Sequence, residues 1–166
     1  LDVLKPQQNC GFLMISLLGF TQDLRTTFSK DFSRWTYDEF SISTTFIKSY
    51  DNWKCGNQTI KTVFLNDWDN WRIGAEVTLK TTFSNDFNDW TIKGYGKTIN
   101  VRTAFSNILD QWRISGDFEG SFRTTFSNDW ERWSFDVDFD GLEDDLQKAI
   151  VFIAVYSSFS QNVDKK

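Results

Sequence analysis

Residues 140–159 read DGLEDDLQKAIVFIAVYSSF, and from Ala149 to Tyr156 every side chain is apolar. Leu142, Leu146, Ala149 and Ile150 stand at helical spacing, and Glu143, Asp144 and Asp145 fall where the first turn of a helix favours acids. Asp140, with Glu143 three residues on, has the form of a capping box. A short apolar run also suits a buried strand, because periodicity alone does not separate the two. The acidic start and the leucine spacing favour a helix over about residues 141–160. As a membrane span the stretch is too short, since about 20 apolar residues are needed and the acids and serines interrupt well before that. A helix apolar around most of its circumference belongs inside protein. The rest of the chain is expected to surround it.

What surrounds it is a repeat. TTFSKDFSRW ends at Trp35, TTFIKSYDNW at Trp53, TVFLNDWDNW at Trp71, TTFSNDFNDW at Trp90, TAFSNILDQW at Trp112 and TTFSNDWERW at Trp133. In each copy a Phe (Phe28, Phe46, Phe64, Phe83, Phe105, Phe126) precedes the Trp by seven residues. Counting back from that Phe, the second residue is always Thr and the fourth always apolar: Leu24, Ile42, Ile60, Leu79, Val101, Phe122. Two residues after the Trp come Tyr37, Cys55, Ile73, Ile92, Ile114 or Phe135. Period two means strand, so each copy is two short strands joined by a loop such as SNDFND.

Between copies, Asp38-Glu39, Gly56-Asn57, Gly74-Ala75, Gly94-Tyr95-Gly96 and Gly116-Asp117 mark tighter turns, and Gly-Asn in particular suits a hairpin whose turn needs positive φ. Six loops and five turns predict a mainly β fold, a 12-stranded antiparallel meander of six hairpin repeats. With one apolar face it should close into a barrel around the C-terminal helix, which removes both edges. The rival is a parallel solenoid, but the Phe spacing starts at 18 and drifts to 19, 22 and 21. Hairpins absorb such insertions, whereas a solenoid wants a steady period.

The loops carry a further pattern. Four residues after the Phe stands Phe32, Tyr50, Trp68, Phe87, Leu109 or Trp130, so Phe, loop residue and Trp fall at i, i+4 and i+7. That spacing predicts a short helical turn with all three side chains inward, plugging one end of the barrel. The other reading is an exposed aromatic ring that contacts glycan or membrane.

The chain of 166 residues is expected to form one barrel domain over residues 23–166, preceded by an apolar segment, residues 1–22. In that segment Lys5 and the run CGFLMISLLGF (Cys10 to Phe20) suit either a secretory signal cut near Thr21 or a first strand, so compartment stays open. If the chain is secreted, Asn57-Gln58-Thr59 is a candidate glycan acceptor. Cys10 and Cys55 are too few for a disulfide framework and read as ordinary buried thiols or, less simply, a pair.

There are 17 Phe, 8 Trp and 4 Tyr but no His, which removes the commonest general base and zinc ligand together. No phosphate loop, nucleophile elbow or metal motif is present in the sequence. The expected function is therefore non-enzymatic, with no cofactor. The net charge of −5 argues against a nucleic-acid partner. Asp31, Asp51, Asp67, Asp69, Asp86, Asp89, Asp110 and Asp129 crowd the loops, where they suit either turn hydrogen bonding or calcium.

Twelve antiparallel strands followed by an apolar closing helix resemble the tubby-like barrel of tubby proteins, LURP-one-related proteins and phospholipid scramblases. AIVFIAVYSSF, from Ala149 to Phe159, is similar to the closing helix of tubby domains, with its small-residue run and Ser-Ser-Phe. The near-identical repeats are this chain's own. The resemblance implies a helix threaded through the barrel and binding of phosphoinositides by basic residues on the wall.

The outer face itself is basic. Three residues before the Phe stand Arg25, Lys61, Lys80, Arg102 and Arg123, with Ser43 breaking the pattern, and Lys54, Arg72 and Arg113 follow their Trp. This belt of eight is either a solvated face that prevents aggregation or a contact for anionic lipid headgroups, each cation contributing about 1 kcal/mol near a charged membrane. The alternatives are a structural or protein-interaction scaffold with no small ligand, and a secreted binding module.

Overall fold

Each repeat folds as a pair of short strands joined by a loop, and a tight turn leads to the next. A computed structural model describes residues 22–38 and 40–163. The strands are β1 (Gln22–Thr26), β2 (Arg34–Tyr37), β3 (Phe40–Thr44), β4 (Asn52–Cys55), β5 (Gln58–Thr62), β6 (Asn70–Ile73), β7 (Val77–Thr81), β8 (Asp89–Gly94), β9 (Lys97–Thr103), β10 (Gln111–Gly116), β11 (Gly120–Thr124) and β12 (Arg132–Asp136). They are followed by α1 (Asp144–Asn162). Every strand pairs antiparallel with its sequence neighbour, and β1 pairs with β12, with Leu24 opposite Trp133, so the sheet closes. That register excludes the solenoid. The proposed signal segment lies outside the described residues, as does Glu39 of the first tight turn.

The alternation of the repeat becomes the two faces of the wall. Leu24, Ile42, Ile60, Leu79, Val101 and Phe122 point in, and so does the ring of Trp35, Trp53, Trp71, Trp90, Trp112 and Trp133, none more than 1 % exposed. A buried indole N–H needs an acceptor. Five of the six find it in the preceding loop, where the carbonyls of Phe32, Tyr50, Trp68, Phe87 and Leu109 accept at 2.7–3.1 Å. The sixth, Trp133, donates instead to Ser158 Oγ of the helix at 2.8 Å.

The run Ala149–Phe159 is helix, buried throughout, which settles the choice between helix and strand. It does not sit symmetrically. Phe152, Tyr156 and Phe159 share one face and pack on the β4–β8 side, with Phe152 4.9 Å from Trp71 and Tyr156 5.1 Å from Trp90 between ring centroids. Toward β12 the helix presents Ala154 and Ser158. There the wall supplies the bulk itself, since Phe122 and Phe135 occupy positions that are mostly aliphatic in other repeats, and their rings stack at 5.0 Å. Phe139, after β12, closes the same side against Tyr37 and Phe118.

The barrel has a turn end, with the tight hairpins, and a loop end. The helix enters at the turn end and is held there by polar contacts. Lys148 lies 3.6 Å from Asp145 and donates to Asn57 Oδ1 at 2.9 Å, while Gln58 and Tyr95 donate to Asp145 Oδ2. Gly74 has φ +57°, and a Cβ there would lie 2.8 Å from Gln58 Oε1, so the clamp needs this glycine. The expected capping box does not form. Glu143 is the N-cap but makes no side-chain cap bond, and Asp140 sits in an Asx turn with Asp138. Lys97 takes the Glu143 carboxylate at 2.6 Å instead, and this hydrogen bond holds its pKa below the usual glutamate range. An ammonium on the neighbouring hairpin has outcompeted the local backbone N–H.

Candidate docking surface at the loop end

The strand before each loop ends on an inward-facing Thr, and the chain then reverses in a four-residue turn that opens at the Phe. Asp31 N–H, for instance, donates to Phe28 O at 3.1 Å, and the third residue, Lys30, has φ 60°. All six loops repeat this, with Lys30, Lys48, Asn66, Asn85, Asn107 and Asn128 at positive φ. This is type II geometry, for which asparagine is a natural residue after glycine. The expected helical turn is therefore absent, and with it the inward placement of the Phe. Phe28, Phe46, Phe64, Phe83, Phe105 and Phe126 are 55–69 % exposed. Only the residues four and seven beyond the Phe turn inward: Phe32, Tyr50, Trp68, Phe87, Leu109 and Trp130 pack on the core above the tryptophan ring. The plug is real, but it is built from two of the three positions. The third forms an outward crown, which the i, i+4, i+7 spacing concealed because a tight turn and a helical turn both bring such residues close together.

Position two of each turn also faces solvent. It is Ser29, Ser84, Ser106 or Ser127 in four repeats, but Ile47 and Leu65 in the other two, and these are 92 % and 83 % exposed. The sequence reading missed this pair. The signal was two repeats departing from serine in favour of apolar residues.

Just below the crown lies the basic belt. Arg25, Lys61, Lys80, Arg102 and Arg123 are the penultimate residues of their strands, and Lys54, Arg72 and Arg113 are the third residues of theirs, all exposed. Each is thus roughly 3–7 Å along its strand from the base of a loop, at the strand rise of about 3.3 Å per residue. Arg34 and Arg132, immediately before their Trp, extend the belt, and Lys30 and Lys48 rise above it on the turns. Register sets like charges face to face: Arg25 opposite Arg132, Lys61 opposite Arg72, Arg102 opposite Arg113. Such pairs are destabilising in a sheet unless something offsets them. One offset is internal, because Asp89 accepts Arg102 at 2.6 Å and withdraws that guanidinium from any ligand. Among the described residues no carboxylate pairs with Arg113 or Arg123, which flank a groove of about 520 Å³ lined in part by Ser121 and Ser134.

Most rim acids answer to the protein itself; Asp110 is the exception, with its Oδ1 buried and without a hydrogen-bond partner among the described residues. Asp31, Asp67, Asp86 and Asp129 accept backbone N–H groups two residues on. Asp69 and Asn88 accept the N–H of Asn85 and Asn107 in the next loop, and Glu131 accepts that of Lys30. These bonds stitch loop to loop. Among the described residues no group of three or more ligating side chains converges for a metal. Asn57, the candidate glycan acceptor, is exposed with its Oδ1 bound to Lys148, and Cys55 is a buried free thiol.

The charges divide by end. On the loop half stand ten cations, Arg25, Lys61, Lys80, Arg102, Arg113 and Arg123 with Arg34, Arg132, Lys30 and Lys48, and nine acids, the eight aspartates with Glu131, a net of +1, while Lys54 and Arg72, one residue from the turn-side ends of β4 and β6, stand at mid-wall. All twelve cations are exposed and none of the nine acids is. The turn half has three cations, Lys93, Lys97 and Lys148, against eleven acids, a net of −8. Nine of those acids are exposed, so an acidic protein presents a basic end. No helix among the described residues is long and apolar enough to cross a membrane. Compared with known proteins, the chain matches no family model, no curated protein and no solved structure.

Proposed function

We propose that this chain is a non-enzymatic docking barrel that binds anionic lipid surfaces with its loop end, through the basic belt. The observation that carries the reading is the separation of exposed charge, ten cations on the loop half with two more at mid-wall, and nine exposed acids on the turn half. Scattered surface charge would serve solubility equally well. Segregated charge gives the barrel a preferred orientation in the field of a negative surface, which reaches about a Debye length, ~10 Å at 0.1 M salt. The Arg25–Arg132 and Lys61–Arg72 cross-strand pairs support the same reading, since an anion between their members removes the repulsion. The resemblance to tubby-like barrels, one of strand plan and closing helix, also supports a lipid headgroup as partner, and kinship with that architecture is part of the proposal. Headgroup phosphate suits Arg113 and Arg123, because guanidinium pairs with phosphate through two parallel N–H groups.

Flotation with neutral and anionic liposomes at low and moderate salt tests this. Binding should need the anionic lipid, weaken with salt and disappear in a Lys61→Ala/Arg72→Ala/Arg113→Ala variant. Absence of binding at low salt overturns the reading in favour of a structural or protein-interaction scaffold.

A further inference from the structure

Resting on that reading, we infer that the phenylalanine crown inserts into the apolar boundary of the lipid layer, with the second and third loops leading. Those loops join β3 to β4 and β5 to β6, and they are neighbours because β4 pairs with β5. Their turns, Phe46-Ile47-Lys48 and Phe64-Leu65-Asn66, carry the most exposed large apolar side chains of the described residues, and Val63 is half-exposed beside them. A contiguous apolar patch on a soluble surface marks a contact site. Here the fold does not require it, since four of the six repeats make the same turn with serine where Ile47 and Leu65 stand.

Charge selects the occupant. A second copy docking crown to crown would set one basic belt against another. A lipid layer with anionic headgroups offers both an apolar phase for the turns and countercharge for the belt some 10 Å behind them, at about 3.3 Å per strand residue. Lys48, beside Ile47, has a stem long enough to lie along the apolar boundary while its ammonium stays with the headgroups. The plug supports the load from within: Tyr50 and Trp68, later in the same two loops, pack on Phe159 of the helix at 5.3 and 6.2 Å.

The test is insertion into a phosphatidylcholine–phosphatidylserine monolayer, read as rise in surface pressure, beside sedimentation with vesicles of the same composition. The variant Ile47→Ser/Leu65→Ser copies the other repeats and should fold as the parent does. The parent should raise the pressure and keep part of its vesicle binding in high salt. The variant should lose the pressure rise and partition about tenfold more weakly, while keeping its salt-sensitive association. The converse variant, Ser84→Ile/Ser106→Leu, should raise the pressure further. A parent that binds vesicles without raising the pressure overturns the insertion and leaves the belt reading intact, as does a variant that inserts like the parent. A parent that binds no anionic vesicle overturns both. Sedimentation of the free parent as a dimer that the Ile47→Ser/Leu65→Ser variant abolishes would assign the crown to a second copy instead.

Discussion

The two ends of this barrel are made from one repeat and have opposite chemistry. At the turn end, polar side chains reach inward: Gln58, Tyr95 and Lys148 converge on Asp145, and Lys97 holds Glu143. At the loop end, most rim polar groups are spent on one another and on loop backbone, with Asp110 Oδ1 buried and unpartnered among the described residues, and the Phe crown with Ile47 and Leu65 is left outside. The core explains neither choice, because the tryptophan ring and the helix already fill the interior. The turn end fixes the helix in depth. The loop end is thereby free to display phenylalanine, isoleucine and leucine without structural duty, which is the pattern of a contact surface.

The largest effect should come from reversing the sign of the loop end. Lys61→Glu/Arg72→Glu/Arg113→Glu changes six units of charge, and at about 1 kcal/mol per unit near an anionic membrane vesicle binding should fall at least a thousandfold. The thermal midpoint should move by a few degrees at most, because all three side chains are exposed.

Breaking the turn-end clamp should do the reverse. Lys148→Met leaves the buried Asp145 carboxylate without its cation, at about 3–5 kcal/mol, measurable by urea denaturation. Binding by the protein that remains folded should be unchanged. A Lys148→Met variant as stable as the parent would show that the clamp is not what holds the helix.

Cys55 sharpens the contrast through pH. Burial pushes its thiol up to about 12 from an ordinary 9.0, with nearby Lys148 opposing the shift. The unfolded chain ionises this thiol near its ordinary value and the native barrel does not. Stability from this group is therefore intact below about pH 9 and is lost as pH rises toward 12, at about 1.4 kcal/mol per unit. The slope difference between parent and Cys55→Ala over that window measures it. In a Cys10→Ser background, thiol reagents should leave the folded protein unmodified at pH 8.

The smallest effect concerns Glu143, whose carboxyl is held low by Lys97. In the window just below the ordinary glutamate range the unfolded chain binds more protons than the native one. The Lys97–Glu143 contribution is thus present above that range and fades as pH falls through the lowered native value. Glu143→Gln should flatten the acid limb of the denaturation midpoint slightly, and an unchanged limb would mean that the pair is inert.

Much of this was legible in the sequence because the repeat states its rules six times. The Thr and apolar positions before each Phe fixed the inward face, Gly56 and Gly74 marked turns that do take φ near +58°, and the belt residues fell on the outer face as their parity required. What stayed hidden was conformation inside the loops. A positive-φ asparagine at Asn85 or Asn107 looks like turn chemistry in either geometry, and spacing alone does not say whether Phe83 or Phe105 joins Trp90 or Trp112 in the core. The pairing of Arg102 with Asp89 was equally invisible, since it crosses between two repeats. The polarity of charge along the axis needed the knowledge that all six loops share one end.

The most direct test of the account places an environment-sensitive fluorophore at one end or the other, on Ser84→Cys at a loop tip or Ala75→Cys at a tight turn, both exposed and both in a Cys10→Ser background. On anionic vesicles the loop-tip probe should shift to the blue and resist aqueous quenchers, while the turn-end probe stays as it is in buffer. A shift at Ala75, or the absence of a shift at both positions with protein bound, would contradict docking through the loop end.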